Sequence, residues 1–192
     1  MLKKLQKKLD LNWIKKNDIW DIVVYGSYVR GKIKVGDIDI AIIFSRTKSV
    51  KEKILLCQEL RHILIEKEYT LDVKAVDIED FLNKGFLGRE AILAEGYSII
   101  NKDYLAERFG FIPIATIEYS LKNLTLTKQK IFYYALQGRK KGTGFLKKIE
   151  GRIISKGVLE AKTKYYEELK ELLDRHNINY KTTFTLQYRI LH

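Results

Sequence analysis

The sequence predicts an α/β (α+β) protein: a mixed sheet with helices on one face, followed by a smaller, basic α+β domain. Three observations carry this prediction. Short β-branched runs alternate with stretches of helical periodicity through the first hundred residues. A glycine-bearing turn separates the first two of those runs. Charge also shifts along the chain: residues 1–103 hold 19 basic and 16 acidic groups, net +3, whereas residues 104–192 hold 17 and 8, net +9. The chain therefore divides into a first domain over 1–103 and a basic second domain over 104–192.

Each element has its own signal. Leu2, Leu5 and Leu9 lie on one face of a short helix. Asp21–Tyr25 (DIVVY) is a short buried strand, and Gly26–Gly31 is a turn passing into a short helix. Asp37–Phe44 (DIDIAIIF) is a second strand. Ser49 and Glu52 form a capping box, after which Val50, Ile54, Cys57, Leu60 and Leu64 recur at helical spacing. Tyr69–Val76 is a third strand; Asp77 caps the next helix, which Gly96 closes. In the second domain, Ile117–Leu124 and Lys128–Leu136 read as helices, and Gly138–Gly157 as a hairpin or long loop. Glu160–His176 reads as a strongly periodic helix, and Tyr180–Ile190 as a strand.

Composition narrows the function classes. The single cysteine, Cys57, excludes an intrachain disulfide. No run of 18 apolar residues exists, so no membrane span is expected. The basic start, MLKKLQKKLDL, lacks the apolar stretch of a secretory signal, which points to the cytoplasm. The net charge of +12 favours a polyanionic partner such as nucleic acid or a nucleoside triphosphate, or else reflects a generally basic surface.

The chemistry concentrates in Val24–Ile42, VYGSYVRGKIKVGDIDIAI. Gly26 and Ser27 follow a strand and precede a helix, where backbone N–H groups suit an anion. Gly26 admits close approach of a phosphate, and the Ser27 hydroxyl offers a further donor. Asp37 and Asp39 stand two apart on a strand, so both carboxylates leave one face, about 7 Å apart at Cα. Such a pair can share two Mg²⁺ ions for phosphoryl transfer, and Mg²⁺ needs only one or two protein carboxylates beside phosphate and water. Asp72 is the third candidate: it interrupts an apolar alternation, where a metal would compensate its charge, and it could help an attacking hydroxyl lose its proton. Taken singly, a Gly-Ser or an Asp-x-Asp is usually only a turn or a strand end. Together, at this spacing, they arise by chance in ~10⁻⁴ of chains this long.

Gly26-Ser27-Tyr28-Val29-Arg30-Gly31 followed by Asp37-Ile38-Asp39-Ile40 resembles the signature of the DNA-polymerase-β nucleotidyltransferase superfamily, in particular its minimal prokaryotic and archaeal members. Gly36 stands where those commonly have serine, and Val29 where they have alanine. Arg89–Tyr97 (REAILAEGY) resembles their final helix, so the resemblance covers roughly residues 10–103. It implies transfer of a nucleoside monophosphate from a triphosphate to a hydroxyl, with pyrophosphate released. It also implies two Mg²⁺ or Mn²⁺ ions on Asp37, Asp39 and Asp72, and a triphosphate held by Gly26 and Ser27. Arg30 either contacts phosphate or caps the helix and pairs with an acid.

Residues 138–152, GRKKGTGFLKKIEGR, hold six basic residues and one acid around Phe145. Arg139, Lys140, Lys141, Lys147 and Lys148 could track a nucleic-acid acceptor while Phe145 stacks a base; the alternative is a solvated loop. Two function classes follow. One is an active transferase on RNA, a small molecule or a protein. The other is an antitoxin-like or nucleic-acid-binding protein that keeps the fold to bind a partner, such as a toxin.

Overall fold

Strands buried on both faces build the first sheet, with successive side chains entering opposite cores. The computed structural model describes residues 2–32, 36–64, 69–139 and 143–188, with side chains from Leu5 onward. Contacts divide the chain into two compact units, Met1–Phe109 and Gly110–His192. The first unit runs α1 (Leu2–Lys8), α2 (Leu11–Lys16), β1 (Ile19–Tyr25), a 3₁₀ turn at Gly26–Tyr28, β2 (Asp37–Phe44), α3 (Val50–Leu64), β3 (Thr70–Val76), α4 (Ile78–Leu82), α5 (Arg89–Glu95), β4 (Tyr97–Ser98) and α6 (Leu105–Arg108). Its sheet has the order β3-β2-β1-β4. β2 pairs antiparallel with β1 and parallel with β3, so the sheet is mixed.

Ile22 and Val24 of β1, Ile38, Ile40 and Ile42 of β2 and Val73 of β3 share one core with Leu5, Ile14, Leu56, Leu60 and Leu64 from α1, α2 and α3. Each fully buried Ile or Leu contributes about 1.5–3 kcal/mol. The alternate residues Val23, Tyr25, Ala41, Ile43 and Val76 form a second core with Ile92, Leu105 and the flanking Phe81 and Phe86. Helices thus cover part of the second face as well as the one expected. The stretch 78–95 is two short helices rather than one, and α4, α5 and α6 have five, seven and four residues, too few to show a period. Val50 and Ile54 of α3 are exposed, whereas Cys57, Leu60 and Leu64 face the core.

The second unit runs β5 (Phe111–Ser120), α7 (Leu126–Gln137), α8 (Phe145–Lys148), β6 (Arg152–Ser155), β7 (Val158–Lys162), a 3₁₀ turn at Thr163–Tyr165, α9 (Tyr166–Arg175) and β8 (Asn179–Tyr188). Its antiparallel sheet has the order β6-β7-β5-β8. Ile117, Tyr119, Leu159 and Ala161 meet Phe132, Leu136, Leu146, Leu169 and Leu173 from the three helices. Two expectations are corrected here. Ile117–Ser120 is strand, because Ala115, Ile117 and Tyr119 alternate inward against β7 and β8. Glu160–Lys162 completes β7, so the helix read from Glu160 begins only at Tyr166.

Buried polar groups tie the first unit together. Asp21, fully buried on β1, accepts hydrogen bonds from Ser98 Oγ (2.6 Å), Arg108 Nη1 (2.8 Å) and Asn101 Nδ2 (3.3 Å). Burial raises its carboxyl pKa in spite of those donors. Asp77, also fully buried, closes a capping box with Asp80 and pairs with Lys53 of α3 at 2.6 Å. Burial pushes the Asp77 carboxyl up, but the Lys53 ammonium and the backbone N–H groups of Asp80 and Lys48 outweigh it and hold the pKa below 3.8.

A lowered carboxylate stabilises the fold above its unfolded pKa, here 3.8, and loses that contribution as pH falls through the folded value. Asp77→Ala removes a cap and a buried ion-pair partner, an expected loss of about 3 kcal/mol at pH 7. Asp77→Asn should lose stability at pH 7 and converge with wild type in strong acid. Urea unfolding followed by circular dichroism at both pH values checks this; an equal deficit at both would contradict the assigned ion pair.

Candidate active site

The first two strands carry the site at one end of their sheet. Tyr25, the last residue of β1, pairs with Asp39 of β2, and Asp39 in turn pairs with Asp72 of β3. Asp37 pairs with Thr70. Alternation puts Asp37, Asp39 and Asp72 on the side of Tyr25, Ala41 and Ile43, beyond the part covered by α5 and α6. Asp37 is exposed, while Asp39 and Asp72 are half-buried.

Gly26 follows Tyr25 directly, in the left-handed region at φ +76°. A Cβ built there would overlap the Asp39 carboxylate oxygen. The chain therefore turns back over the carboxylate so closely that only glycine fits. The Gly26 carbonyl accepts the N–H groups of Val29 (3.1 Å) and Arg30 (3.3 Å), which winds the turn. Its own N–H is turned toward the Glu95 carboxylate, whose charge it helps to stabilise, so among the turn's candidate phosphate donors Ser27 supplies the hydroxyl and the next N–H. Arg30 pairs with Glu95 at 2.7 Å, the acid-pairing alternative read from the sequence.

The electrostatics are those of crowded carboxylates. Burial, then repulsion from Asp37 and Asp72, raises the Asp39 pKa, with Lys74 and Arg30 opposing. Such crowding is relieved by a cation. Lys74 lies 3.4 Å from Asp72 Oδ2. Burial works against its ammonium, but the Tyr25 hydroxyl and Asp72 prevail and raise its pKa. Three carboxylates are hard oxygen donors of the type Mg²⁺ and Mn²⁺ take, and side and charge fit such ions. Among the described residues, however, no three His, Cys, Asp or Glu side chains form a ready-made ligand cluster.

This geometry is matched by sequence comparison: residues 6–105 fit the family described as Polymerase beta, Nucleotidyltransferase. The chain belongs to the polymerase-β nucleotidyltransferase family. It is accordingly a transferase of the nucleotidyl class. No curated protein matches this polymerase-β nucleotidyltransferase in sequence. Two solved structures resemble it. One is a rebuilt and re-refined structure of the tri-AMPylated HEPN toxin of Shewanella oneidensis in complex with MNT antitoxin; the match has 21% identity and a TM-score of 0.35, and covers 52% of this chain and 71% of that one. The other is a mutant of the toxin–antitoxin pair MntA–HpeT, with 17% identity, a TM-score of 0.35 and the same two coverages.

Away from the nucleotidyltransferase unit, the basic segment is less free than its composition suggests. Lys140 and Lys141 lie outside the described residues. Arg139 is exposed, 5.8 Å from the Tyr134 ring centre. Lys147 is exposed on α8, and Lys148 pairs with Glu168 at 2.6 Å. Phe145 is partly buried against the core of the second unit, and the Lys148 ammonium lies 5.8 Å from its ring centre. No described helix is long and apolar enough to cross a membrane.

Sequence reasoning missed Glu95 and Lys74. The signal for Lys74 was its place two residues after Asp72, on the same face. Glu95 sits within the quoted REAILAEGY, where a carboxylate at a helix C-terminus, against the dipole, asks for a compensating partner.

Gly26→Ala should cost about 1–3 kcal/mol in stability, from the forced φ and the overlap with Asp39. It should also weaken triphosphate binding more than Ser27→Ala, which removes one hydrogen bond worth about 1–2 kcal/mol. Calorimetric titration with a non-hydrolysable triphosphate measures both; equal affinities in wild type and the two variants would refute the role given to this turn.

Proposed function

We propose that this chain moves a nucleoside monophosphate from a nucleoside triphosphate to a hydroxyl acceptor, with release of pyrophosphate. The observation that carries the reading is the close approach of the Gly26 turn to Asp39, with Asp37 and Asp72 on the same face of the sheet. A phosphate turn packed onto carboxylates suits a triphosphate whose α-phosphorus reacts beside them.

Asp37, Asp39 and Asp72 are the residues that would hold two divalent cations, Mg²⁺ or Mn²⁺. When bound, the cations neutralise the triphosphate and the departing pyrophosphate. The rest falls to the chain itself. The Ser27 hydroxyl and backbone N–H bind phosphate oxygens, and Gly26 leaves room for their close approach. Asp72 orients the acceptor hydroxyl and takes its proton as the new O–P bond forms and the bond to the β-phosphate oxygen breaks. Arg30, held by Glu95, acts as part of the turn's frame.

Incubation with each labelled nucleoside triphosphate, Mg²⁺ or Mn²⁺, and either cellular RNA or protein lysate tests the reaction and reveals the acceptor. Labelled RNA, labelled protein and a labelled small molecule are the three positive outcomes. A labelled protein identifies a partner that this chain modifies, a toxin among the candidates. Asp37→Asn and Asp39→Asn should abolish labelling by at least about a hundredfold with the circular dichroism spectrum unchanged; labelling that persists in both would overturn the proposal.

If the acceptor is RNA, the excess charge of residues 104–192 should make its binding fall steeply with salt. Replacing Arg139, Lys140, Lys141, Lys147 and Lys148 with Gln should flatten that slope and leave triphosphate affinity unchanged. Electrophoretic shifts of structured RNA at two salt concentrations decide it. Identical shifts for wild type and the neutralised variant remove the segment from acceptor binding.

A further inference from the structure

The geometry points to Glu95 as the positioning residue of the phosphate turn, holding the Gly26 backbone and aiming Arg30 so that the turn is set before a triphosphate arrives. This inference rests on the nucleotidyl-transfer reading and adds to it a residue outside the motif.

Glu95 ends α5 and is only 6% exposed. A carboxylate so buried needs hydrogen-bonding partners. Both of its partners belong to the phosphate turn. Arg30 Nη1 donates at 2.7 Å, and the Gly26 backbone N–H is turned toward the carboxylate and helps to stabilise its charge. These donors come from the first and fifth residues of one tight turn, whose inner closure is the Gly26 carbonyl accepting from Val29 and Arg30. Glu95 therefore closes from outside the loop that Gly26 closes from within.

The carboxylate is itself fixed in place. At Gly96, the next residue, a Cβ would overlap the Ile92 carbonyl oxygen and the Val23 side chain. The end of α5 is thus wedged against β1. The Gly96 carbonyl also accepts the Leu105 N–H at 2.8 Å, which ties it to α6. A charge-assisted pair held this rigidly keeps its geometry at little further entropic cost.

Charge explains why the residue must be paired. Asp39 lies close enough for Glu95 to feel its repulsion. Unpaired, Glu95 would add a buried negative charge behind a site that must accept a triphosphate. Arg30 cancels it. The Glu95–Arg30 pair thus acts as a neutral strut beneath the turn.

Glu95→Gln keeps an oxygen for the Gly26 N–H but loses the charge that aims Arg30; Glu95→Ala loses both. The expected result is a KM for triphosphate raised about tenfold in Glu95→Gln and further in Glu95→Ala, with kcat within about twofold, because Asp37, Asp39 and Asp72 are untouched. Titration of a non-hydrolysable triphosphate should show the same loss in affinity. The losses from Glu95→Gln and Arg30→Gln should be less than additive in the double variant, since the two side chains are paired. If Glu95→Gln fails to fold, Glu95→Asp, which keeps the charge but withdraws it by one methylene, should show the same KM rise. A purely structural residue would lower the melting temperature and kcat and leave KM unchanged; that pattern, or wild-type affinity in the variants, overturns the inference alone. Absence of triphosphate binding in wild type overturns the nucleotidyl-transfer reading and this one together.

Discussion

The contact between the Gly26 backbone and the Asp39 carboxylate constrains everything around it. The chain leaves β1 in a left-handed conformation that sets its backbone against the carboxylate, and both the φ of +76° and the lack of room for a Cβ call for glycine. That conformation in turn starts the turn that carries Ser27 and Arg30. The register of β1 on β2 follows from the same contact, since a slip of one residue would swing both Asp37 and Asp39 into the apolar core of the other face. The site is thus an outcome of strand register first and of individual side chains second.

The legible parts of this protein are those governed by short-range rules. DIVVY, DIDIAIIF and the alternation after Tyr69 report three strands whose two faces are both apolar in part, and the structure has β1, β2 and β3 there. Ser49 with Glu52 and Asp77 with Asp80 announce helix starts through side chains that hydrogen-bond within three residues. The carboxylates were legible for the same reason: Asp37 and Asp39 betray their shared face by spacing alone. What the sequence hid depends on distant partners. Nothing near Asp21 in the chain hints that Ser98, Asn101 and Arg108 will surround it. Glu95 looks like an ordinary helical acid until Arg30 is seen beside it. The second unit was harder still, because Ile117, Leu121 and Leu124 stand four and three residues apart and mimic a helical stripe across the end of β5, whose own residues alternate with a period of two.

The two units spend polar residues differently. In the first, buried acids act as joints: Asp21 links β1 to β4 and α6, Asp77 links α4 to α3, and Glu95 links α5 to the turn. Each joint places a short element that could not hold its position through apolar burial alone. In the second, the acids pair at the surface, as in Lys148 with Glu168, Arg152 with Glu160 and Lys162 with Glu150. Exposed pairs of this kind contribute little to stability, so that unit depends on its single apolar core under the sheet.

The parallel pairing of β2 with β3 bears on how the protein is made. Parallel neighbours cannot be joined by a hairpin; here the chain must pass through the fifteen-residue helix α3 before β3 can dock. On a ribosome, Asp37 and Asp39 emerge and can pair with β1 well before Asp72 exists to join them. A chain arrested within α3 would expose a bare β2 edge and an incomplete carboxylate set at once. Assembly of the reactive centre thus coincides with sealing of that edge, so the partly synthesised chain that is most prone to misassociate also lacks the full set of carboxylates.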